Sequence, residues 1–177
     1  MAAPSQDDVP ESPEAMSRKK HGQFVAFRLG DQSYAFRIAQ IEAIVILEQV
    51  TKIPQSPEYV EGVSNLRGSI IPIINLRRLF GLEPKAVDAE TRTIVVNVGS
   101  RTIGCTVDTV SQVVRIEEDS IQPAPDTVTK DGAQYIGGFA RINGSLLILI
   151  EIDELLAPEK LERISQLAQF GATFRKP

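Results

Sequence analysis

Few residues in this 177-residue chain are suited to catalysis. Histidine and cysteine each occur once, at His21 and Cys105. Acid–base chemistry by histidine requires a side chain held in a cleft, whereas His21 lies at the edge of a polar N-terminal segment. Cys105 stands between Gly104 and Thr106 without a nearby histidine. This setting predicts an inert, packed thiol.

The remaining chemical signatures are also weak. No Cys and His cluster has metal-site spacing, and no glycine-rich loop leads into Lys-Ser or Lys-Thr as in a phosphate-binding loop. The run Glu117-Glu118-Asp119 suits a hard cation, but adjacent acids in a loop are usually solvated. A hydrolase with paired carboxylates stays open, although no pair stands out. We therefore expect a binding module with no catalytic residue, metal or cofactor.

Composition narrows the classes of partner. The net charge is -4 and aromatic residues make up 6% of the chain, with no tryptophan. An acidic, aromatic-poor chain is a poor nucleic-acid binder, and its core is expected to be aliphatic. No apolar run approaches the roughly 20 residues that span a bilayer, so no membrane insertion is expected. A single cysteine fits a reducing cytoplasm.

Two similar hairpins would position any binding surface. Residues 59–80 and 135–156 share an apolar pattern, and their turns are Arg67-Gly68 and Asn143-Gly144. Glycine accepts the positive φ of a tight turn, and Asn-Gly is a strong hairpin signal. Pro72 lacks a backbone donor, which predicts a sheet edge or a bulge in its strand. Arg67 stands where the second copy has Asn143, and loop tips often carry partner-binding residues.

The segments before the hairpins are also duplicated. Residues 24–45 match residues 93–114 at a spacing of 69, which predicts two β units over about 23–82 and 91–156. Whether strands exchange between the units stays open. The spacing of Ile38, Ile41 and Ile44 fits either a helical turn that enters a strand or a twisted strand. Val110 to Val114 are expected to continue the strand that begins at residue 102.

Both ends of the chain differ from the middle. Residues 1–22 are polar and rich in proline, which predicts a disordered tail. Residues 157–177 predict a C-terminal helix, with Pro158 near its first position and Gly171 as its stop. This helix is expected to pack on the body, with partner docking as the alternative.

The run from Gly62 to Arg77 resembles the signature of the CheW family of chemotaxis coupling proteins. The stretches 24–30 and 107–110 also look like that family, and the resemblance covers about residues 23–156. It is shared with the regulatory domain of the partner kinase and with CheV-type proteins. It implies a mainly β fold of two five-stranded SH3-like barrels related by the repeat, followed by the C-terminal helix.

The resemblance also implies a function without catalysis. A CheW-like scaffold would link the cytoplasmic tips of chemoreceptors to the regulatory domain of the histidine kinase CheA, in the cytoplasm. The receptor tip would dock in the groove between the barrels. The resemblance places the receptor contacts at Ile38, Ile41, Asn65, Arg67 and Val110, and the kinase contacts at Val50, Thr51, Gln122, Asp126 and Thr127.

The chain departs from the family pattern at several of these surfaces. The family commonly has an acidic residue at Ala43, paired with the arginine at Arg67, and an aspartate at Asn75. Gln122 and Thr127 replace the arginine and phenylalanine often found at the kinase-facing loop. These changes predict an altered charge pattern and a specialised paralogue. The alternative function is a small β-barrel that binds oligonucleotides, which would require a basic groove with stacking aromatics.

Overall fold

The computed structural model describes residues 21–129, 133–157, 160 and 164, and within them ten strands form two five-stranded sheets. The strands are β1 (His21–Leu29), β2 (Gln32–Arg37), β3 (Ile41–Val45), β4 (Val60–Leu66), β5 (Ser69–Asn75), β6 (Arg92–Val98), β7 (Arg101–Val107), β8 (Thr109–Glu117), β9 (Ile136–Ile142) and β10 (Ser145–Ile150). The helices are single turns: α1 (Leu76–Leu79), α2 (Asp126–Thr129) and α3 (Ile152–Leu155), with 3₁₀ turns at Ile38–Gln40 and Glu118–Ser120.

The two sheets have the same internal order. The first barrel has the order β8-β1-β2-β10-β9, and the second has β3-β6-β7-β5-β4. Strands β6 to β10 repeat β1 to β5, so each unit has a first to a fifth strand. Across both sheets the order of these positions is third, first, second, fifth and fourth. The third, fourth and fifth strands, however, always come from the other unit. The barrels therefore do not coincide with the contiguous units 23–82 and 91–156: each unit contributes strands to both.

Two short segments carry the chain between the barrels. The 3₁₀ turn Ile38–Gln40 leads from β2 in the first barrel to β3 in the second. This is the helical turn entering a strand that the isoleucine spacing allowed. Asp108 alone separates β7 in the second barrel from β8 in the first. Residues 110–114 thus belong to a separate strand in the other barrel, and the prediction that they continue the preceding strand is wrong.

The repeat extends to backbone hydrogen bonds outside the strands. Thr51 and Val63 form a bridge with N–H to O distances of 2.8 and 2.9 Å, and Gln122 and Phe139 form its counterpart at 2.9 and 2.8 Å. A glycine precedes the strand residue in each bridge. A Cβ at Gly62 would lie 2.0 Å from the Thr51 carbonyl oxygen, so glycine is needed for this close approach.

The main core combines side chains from strands of both barrels and from α3, among them Phe27, Ile74, Ile94 and Ile152. Smaller clusters fill the barrels themselves. Aliphatic side chains dominate, but Phe24, Phe27 and Phe36 are among the largest fully buried residues. The core is thus mainly aliphatic, as expected, with three phenylalanines that the expectation did not include.

Two other local expectations need correction. Strand β1 begins at His21, so the tail ends before residue 21 rather than at 22. Strand β5 is internal, between β7 and β4, and not an edge strand. Its pairing with β7 covers only Ile73 to Asn75, so Pro72 lies before that ladder begins. The missing donor of Pro72 is thereby tolerated inside the sheet.

The predicted tail up to residue 20 lies outside the described residues, as does most of the segment 157–177. Lys160 and Ile164 are described, and both are helical. Ile164 is fully buried in the main core, and the Lys160 ammonium lies 5.5 Å from the centre of the Tyr59 ring. These contacts favour packing of this segment on the body over a role as a free docking helix.

Candidate partner-binding surfaces

Ile41 and Val110 occupy equivalent places in the two units. Ile41 is the first residue of β3 and lies opposite Val96, whereas Val110 is the second residue of β8 and lies opposite Phe27. Both side chains are half-buried and pack against the main core. Each residue directly follows a crossing between barrels. The structure therefore brings these two predicted receptor contacts to one apolar cluster.

Edge strand β3 adds apolar surface that the sequence reasoning did not assign to the site. Ile44 is 40% exposed and Ile46, just after the strand, 65%, and both lie near the predicted contact Ile38, which is 36% exposed. Glu42 and Ile44 are exposed, while Ala43 and Val45 turn inward to the core of the second barrel. The continuous apolar run of residues 43–47 carried this signal, because a strand points alternate side chains to opposite faces and so exposes some of them. Exposed isoleucines on an edge strand suit a partner better than solvent.

Asn65 and Arg67 lie at the tip of the β4–β5 hairpin, and both are exposed. The Gly68 N–H donates to the Asn65 side-chain oxygen at 2.9 Å, which stabilises the turn. Arg67 and Gly68 have φ values of +53° and +88°. A left-handed conformation is uncommon for arginine, and such strain is concentrated at functional sites.

The matching hairpin, β9–β10, uses the same turn with a favoured residue. Asn143 and Gly144 have φ values of +52° and +81°. Both turns therefore have positive φ at both central positions, the geometry for which Asn-Gly is preferred. The backbone conformation therefore does not explain the arginine at position 67, whose side chain is exposed.

The predicted kinase contacts divide between the barrels. Val50 and Thr51 lie beside β4 of the second barrel, whereas Gln122, Asp126 and Thr127 lie beyond β8 of the first, where Gln122 bridges to β9. Thr51, Gln122, Asp126 and Thr127 are exposed, and Val50 packs against the second barrel's core. Strands β4 and β9 are both sheet edges. The predicted kinase contacts therefore lie along two equivalent sheet edges and do not form one patch.

Asn75, a departure from the family pattern, has a clear structural role. Its side-chain oxygen accepts from the Arg78 N–H at 3.1 Å and caps α1, while its amide nitrogen donates to the Glu61 carboxylate at 2.9 Å. An aspartate would preserve the cap but would place two carboxylates together. The pairing of Asn75 with Glu61 therefore keeps a single charge at this place. Ala43, another departure, is partly buried and packs against the core of the second barrel.

A two-pronged ion pair that is mostly shielded from solvent lies at a barrel crossing, and the sequence reasoning missed it. Arg77 donates through Nε and Nη2 to the two carboxylate oxygens of Asp108 at 2.7 and 2.8 Å, and the Gly30 N–H donates to the same carboxylate at 2.8 Å. Burial alone would raise the pKa of Asp108, but these hydrogen bonds outweigh it and the pKa is lowered. The contact joins α1, the β1–β2 turn and the crossing itself.

Cys105 is fully buried between the second barrel's strands, and burial raises the pKa of its thiol to about 12. Such a thiol stays protonated at neutral pH and is a poor nucleophile, as the sequence predicted. In the part of the chain that the structure describes, no three acidic, histidine or cysteine side chains form a potential metal site. Likewise, no helix there is long and apolar enough to cross a membrane.

Residues 23–160 match the CheW-like domain family. The chain belongs to the CheW-like family. It is 35% identical over 147 residues to the chemotaxis protein CheW of Klebsiella aerogenes, with 83% of this chain and 89% of that protein covered. It is 34% identical over 149 residues to the chemotaxis protein CheW of Treponema pallidum, with 82% and 88% covered.

The fold of this CheW-like chain is similar to a solved structure. The scaffolding protein CheW from Thermoanaerobacter tengcongensis superimposes with a TM-score of 0.72 at 33% identity, with 80% of this chain and 96% of that chain covered. The mainly β, two-barrel prediction is confirmed. The CheW-like chain is a non-catalytic scaffold of chemotaxis signalling, and these similarities give the oligonucleotide-binding alternative no support.

Proposed function

We propose that this scaffold works in the cytoplasm, where it joins the cytoplasmic tips of chemoreceptors to the regulatory domain of a CheA-type histidine kinase. The single observation that supports the receptor contact best is the strained turn at Arg67. Two equivalent hairpins make the same turn, and only one of them keeps the residue that the turn favours. An arginine retained against this preference offers five donors to a partner carboxylate or carbonyl.

The receptor face combines this guanidinium with apolar surface. Ile41 and Val110 border the two barrel crossings, and Ile38 is exposed in the turn that leads into β3. A helical hairpin presents apolar side chains at a spacing of three and four residues, which suits an elongated apolar surface with a polar rim. We assign Ile38, Ile41 and Val110 to the apolar contact and Asn65 and Arg67 to the rim.

The kinase face uses the two outer sheet edges. Thr51 extends the edge at β4, and Gln122 extends the equivalent edge at β9. Because the edges lie on different barrels, a partner with the same fold would meet one edge at a time. Val50 and Thr51 would then form one contact with a kinase domain, and Gln122, Asp126 and Thr127 another.

The test is co-sedimentation of the purified chain with receptor-tip assemblies, with and without the kinase. The wild-type chain should sediment with receptors and recruit the kinase. Arg67→Asp should weaken receptor capture with little change in melting temperature, because the side chain is exposed. Asn143→Asp is the matched control, since it places the same charge on the equivalent turn. The assignment would be contradicted if both variants lost receptor capture equally, or if unfolding of Arg67→Asp explained its loss of capture.

The kinase face is tested separately in the same assay. Asp126→Arg combined with Thr127→Arg should reduce kinase recruitment while receptor capture stays intact, because these exposed residues follow β8 of the first barrel, whereas the Arg67 turn belongs to the second barrel. If both partners are lost together in a folded variant, the division into two faces is wrong.

A further inference from the structure

A pocket opens at the mouth of the first barrel, between edge strand β8 and the tip of the β9–β10 hairpin. Its volume is about 210 Å³. Apolar residues form the floor, and hydroxyl and amide side chains form the rim. The lining includes Ala26, Val114, Ile142 and Leu147 below, and Ser33, Ser111, Gln112, Asn143 and Ser145 above.

The sequence repeat explains why this mouth is open. At the spacing of 69 residues, Ala26 corresponds to Val95 and Ser33 to Thr102. Each position carries a smaller side chain in the first barrel than in the second. Space that the second barrel fills with a methyl-bearing side chain is therefore left empty in the first.

Among the described residues that line this pocket, Arg28 is the one that carries a charge, and none is a carboxylate. It follows Ala26 on the inward face of β1, and its guanidinium contacts the Gly30 carbonyl at 3.5 Å, the limit of a hydrogen bond. Its counterpart in the second barrel is Asn97. The pocket thus combines an apolar floor with a cation, which suits an aliphatic group next to a carboxylate.

The adjacent strand provides backbone groups as well. Strand β8 ends the first sheet, with β1 on one side and, among the strands that the structure describes, none hydrogen-bonded on the other. Ser111 and Gln112 are exposed on this strand and line the pocket. An extended segment can pair with such an edge while alternate side chains enter a pocket.

We propose that residues 7–11 of this chain, Asp-Asp-Val-Pro-Glu, occupy the pocket. Val9 precedes a proline, which favours an extended conformation. Asp7 and Glu11 then share one face with Val9, since alternate residues of an extended segment point the same way. Val9 covers the apolar floor, and Asp7 or Glu11 binds Arg28. The surrounding residues 1–16 contain four acidic residues and no lysine or arginine.

The chain length permits this contact. The tail joins β1 at His21, and Arg28 lies seven residues further along the strand, a distance of roughly 23 Å at the rise of a β-strand. The 12 residue steps from Val9 to His21 span up to about 40 Å when extended. This leaves enough chain to round β8, and the covalent link keeps the segment at a high effective concentration.

A docked tail would lie next to the receptor face, because Ser111, which lines the pocket, directly follows the receptor contact Val110 on β8. The tail and a receptor tip would then compete for this end of the strand. The competition rests on the proposed function, whereas the docking does not. The two can fail separately, since the docking is measured without any partner.

The docking is tested in the full chain by a nitroxide label at residue 5, introduced as Ser5→Cys. The buried Cys105 should stay unlabelled in the native protein. We expect selective paramagnetic broadening of the Ser111, Gln112 and Ser145 amides. Arg28→Gln should abolish it, and so should Asp7→Asn combined with Glu11→Gln. Arg78→Gln, at an exposed position of α1, and Asp8→Asn combined with Glu14→Gln are the matched controls and should leave the broadening unchanged.

Broadening at another surface, broadening spread evenly over the chain, or broadening that survives Arg28→Gln would overturn the docking. Equal effects of the two acid pairs would overturn the assignment of residues 7 and 11. In the receptor assay, Arg28→Gln should increase capture if the tail competes. Unchanged capture with abolished broadening would overturn the competition alone.

Discussion

Arg77 and Asp108 form a two-pronged ion pair that joins the barrels where the chain passes from one to the other. Their side chains are only 16% and 14% exposed, and Asp108 also accepts from the Gly30 N–H. Arg77 lies in α1, directly after β5 of the second barrel, and Gly30 lies in the β1–β2 turn of the first barrel. The pair therefore fixes the relative position of the barrels, and with it the place of Val110 two residues further on.

Asp108→Asn should lower the free energy of unfolding by about 2–3 kcal/mol, the usual cost of losing charge-assisted hydrogen bonds at a mostly buried site. Urea unfolding followed by circular dichroism measures this loss. Asp88→Asn is the control, because its pair with Lys85 is exposed to solvent, and exposed pairs contribute little. A loss for Asp108→Asn no larger than that of the control would show that the pair has no special structural role.

The same pair predicts a dependence on acid. The pKa of Asp108 is lowered in the folded chain, so its contribution is complete above the unfolded value of about 3.9. That contribution is lost as the pH falls below this value and through the folded pKa, because protonation removes the charge that Arg77 binds. The free energy of unfolding of the wild type should decline more steeply between about pH 4 and 2 than that of Asp108→Asn. Parallel curves for the two proteins would contradict this assignment.

Strand exchange predicts that neither half of the chain folds alone. A chain cut between Ala86 and Val87 leaves β1 to β5 on one fragment, and these contain only the paired hairpins β1–β2 and β4–β5. Isolated two-stranded hairpins are marginal in water. Each fragment should therefore lack a cooperative thermal transition, and an equimolar mixture should regain one. A cooperative transition in either fragment by itself would show that the exchange is not required for folding.

The turn at Arg67 predicts that one substitution will maintain or raise the stability of the fold while it weakens receptor binding. Arg67→Asn places the favoured residue at a positive φ and should leave the protein as stable or up to about 1 kcal/mol more stable. Receptor capture should fall, because the guanidinium is gone. Melting temperature and co-sedimentation are measured on one preparation. A variant that is clearly destabilised would mean that the Arg67 side chain supports the fold.

The repeated glycines before the two backbone bridges should tolerate substitution unequally. Gly62→Ala would place its Cβ against the Thr51 carbonyl oxygen, whereas Gly138→Ala meets the Gln122 oxygen at 2.8 Å. Both positions have positive φ, 148° and 159°. We expect Gly62→Ala to cost on the order of 3 kcal/mol or more, and Gly138→Ala to cost less. Chemical denaturation compares them, and the reverse order would contradict the geometry of the bridges.

The hairpins illustrate what local chemistry can establish. Arg67-Gly68 and Asn143-Gly144 were placed correctly because a two-residue turn is decided by the φ values its own residues accept. The cap at Asn75 is local in the same way, since the capping side chain and the helix it caps are neighbours in sequence. The family resemblance then directed attention to Ile41 and Val110, whose equivalence in the repeat was visible before the fold.

The Arg77–Asp108 pair and the pocket at Arg28 were beyond this kind of reasoning. Arg77 and Asp108 are 31 residues apart, and no local pattern marks them as partners. The pocket depends on small side chains from four strands that meet only in the folded barrel. The internal position of Pro72 likewise depends on where the ladder with β7 begins, which pairing between distant strands decides.

By itself, the sequence determined the strands, their turns, the twofold repeat and the absence of an obvious catalytic centre, because turn residues and alternating burial act over a few neighbours. Only the tertiary structure decided which strands share a barrel. The apolar alternation of the third strand of each unit fits pairing within its own unit as well as pairing with the other unit. The sequence pattern therefore does not decide between the two. The choice depends on the crossings at residues 38–40 and at Asp108, where packing against the shared core and the pair with Arg77 direct the chain into the opposite barrel.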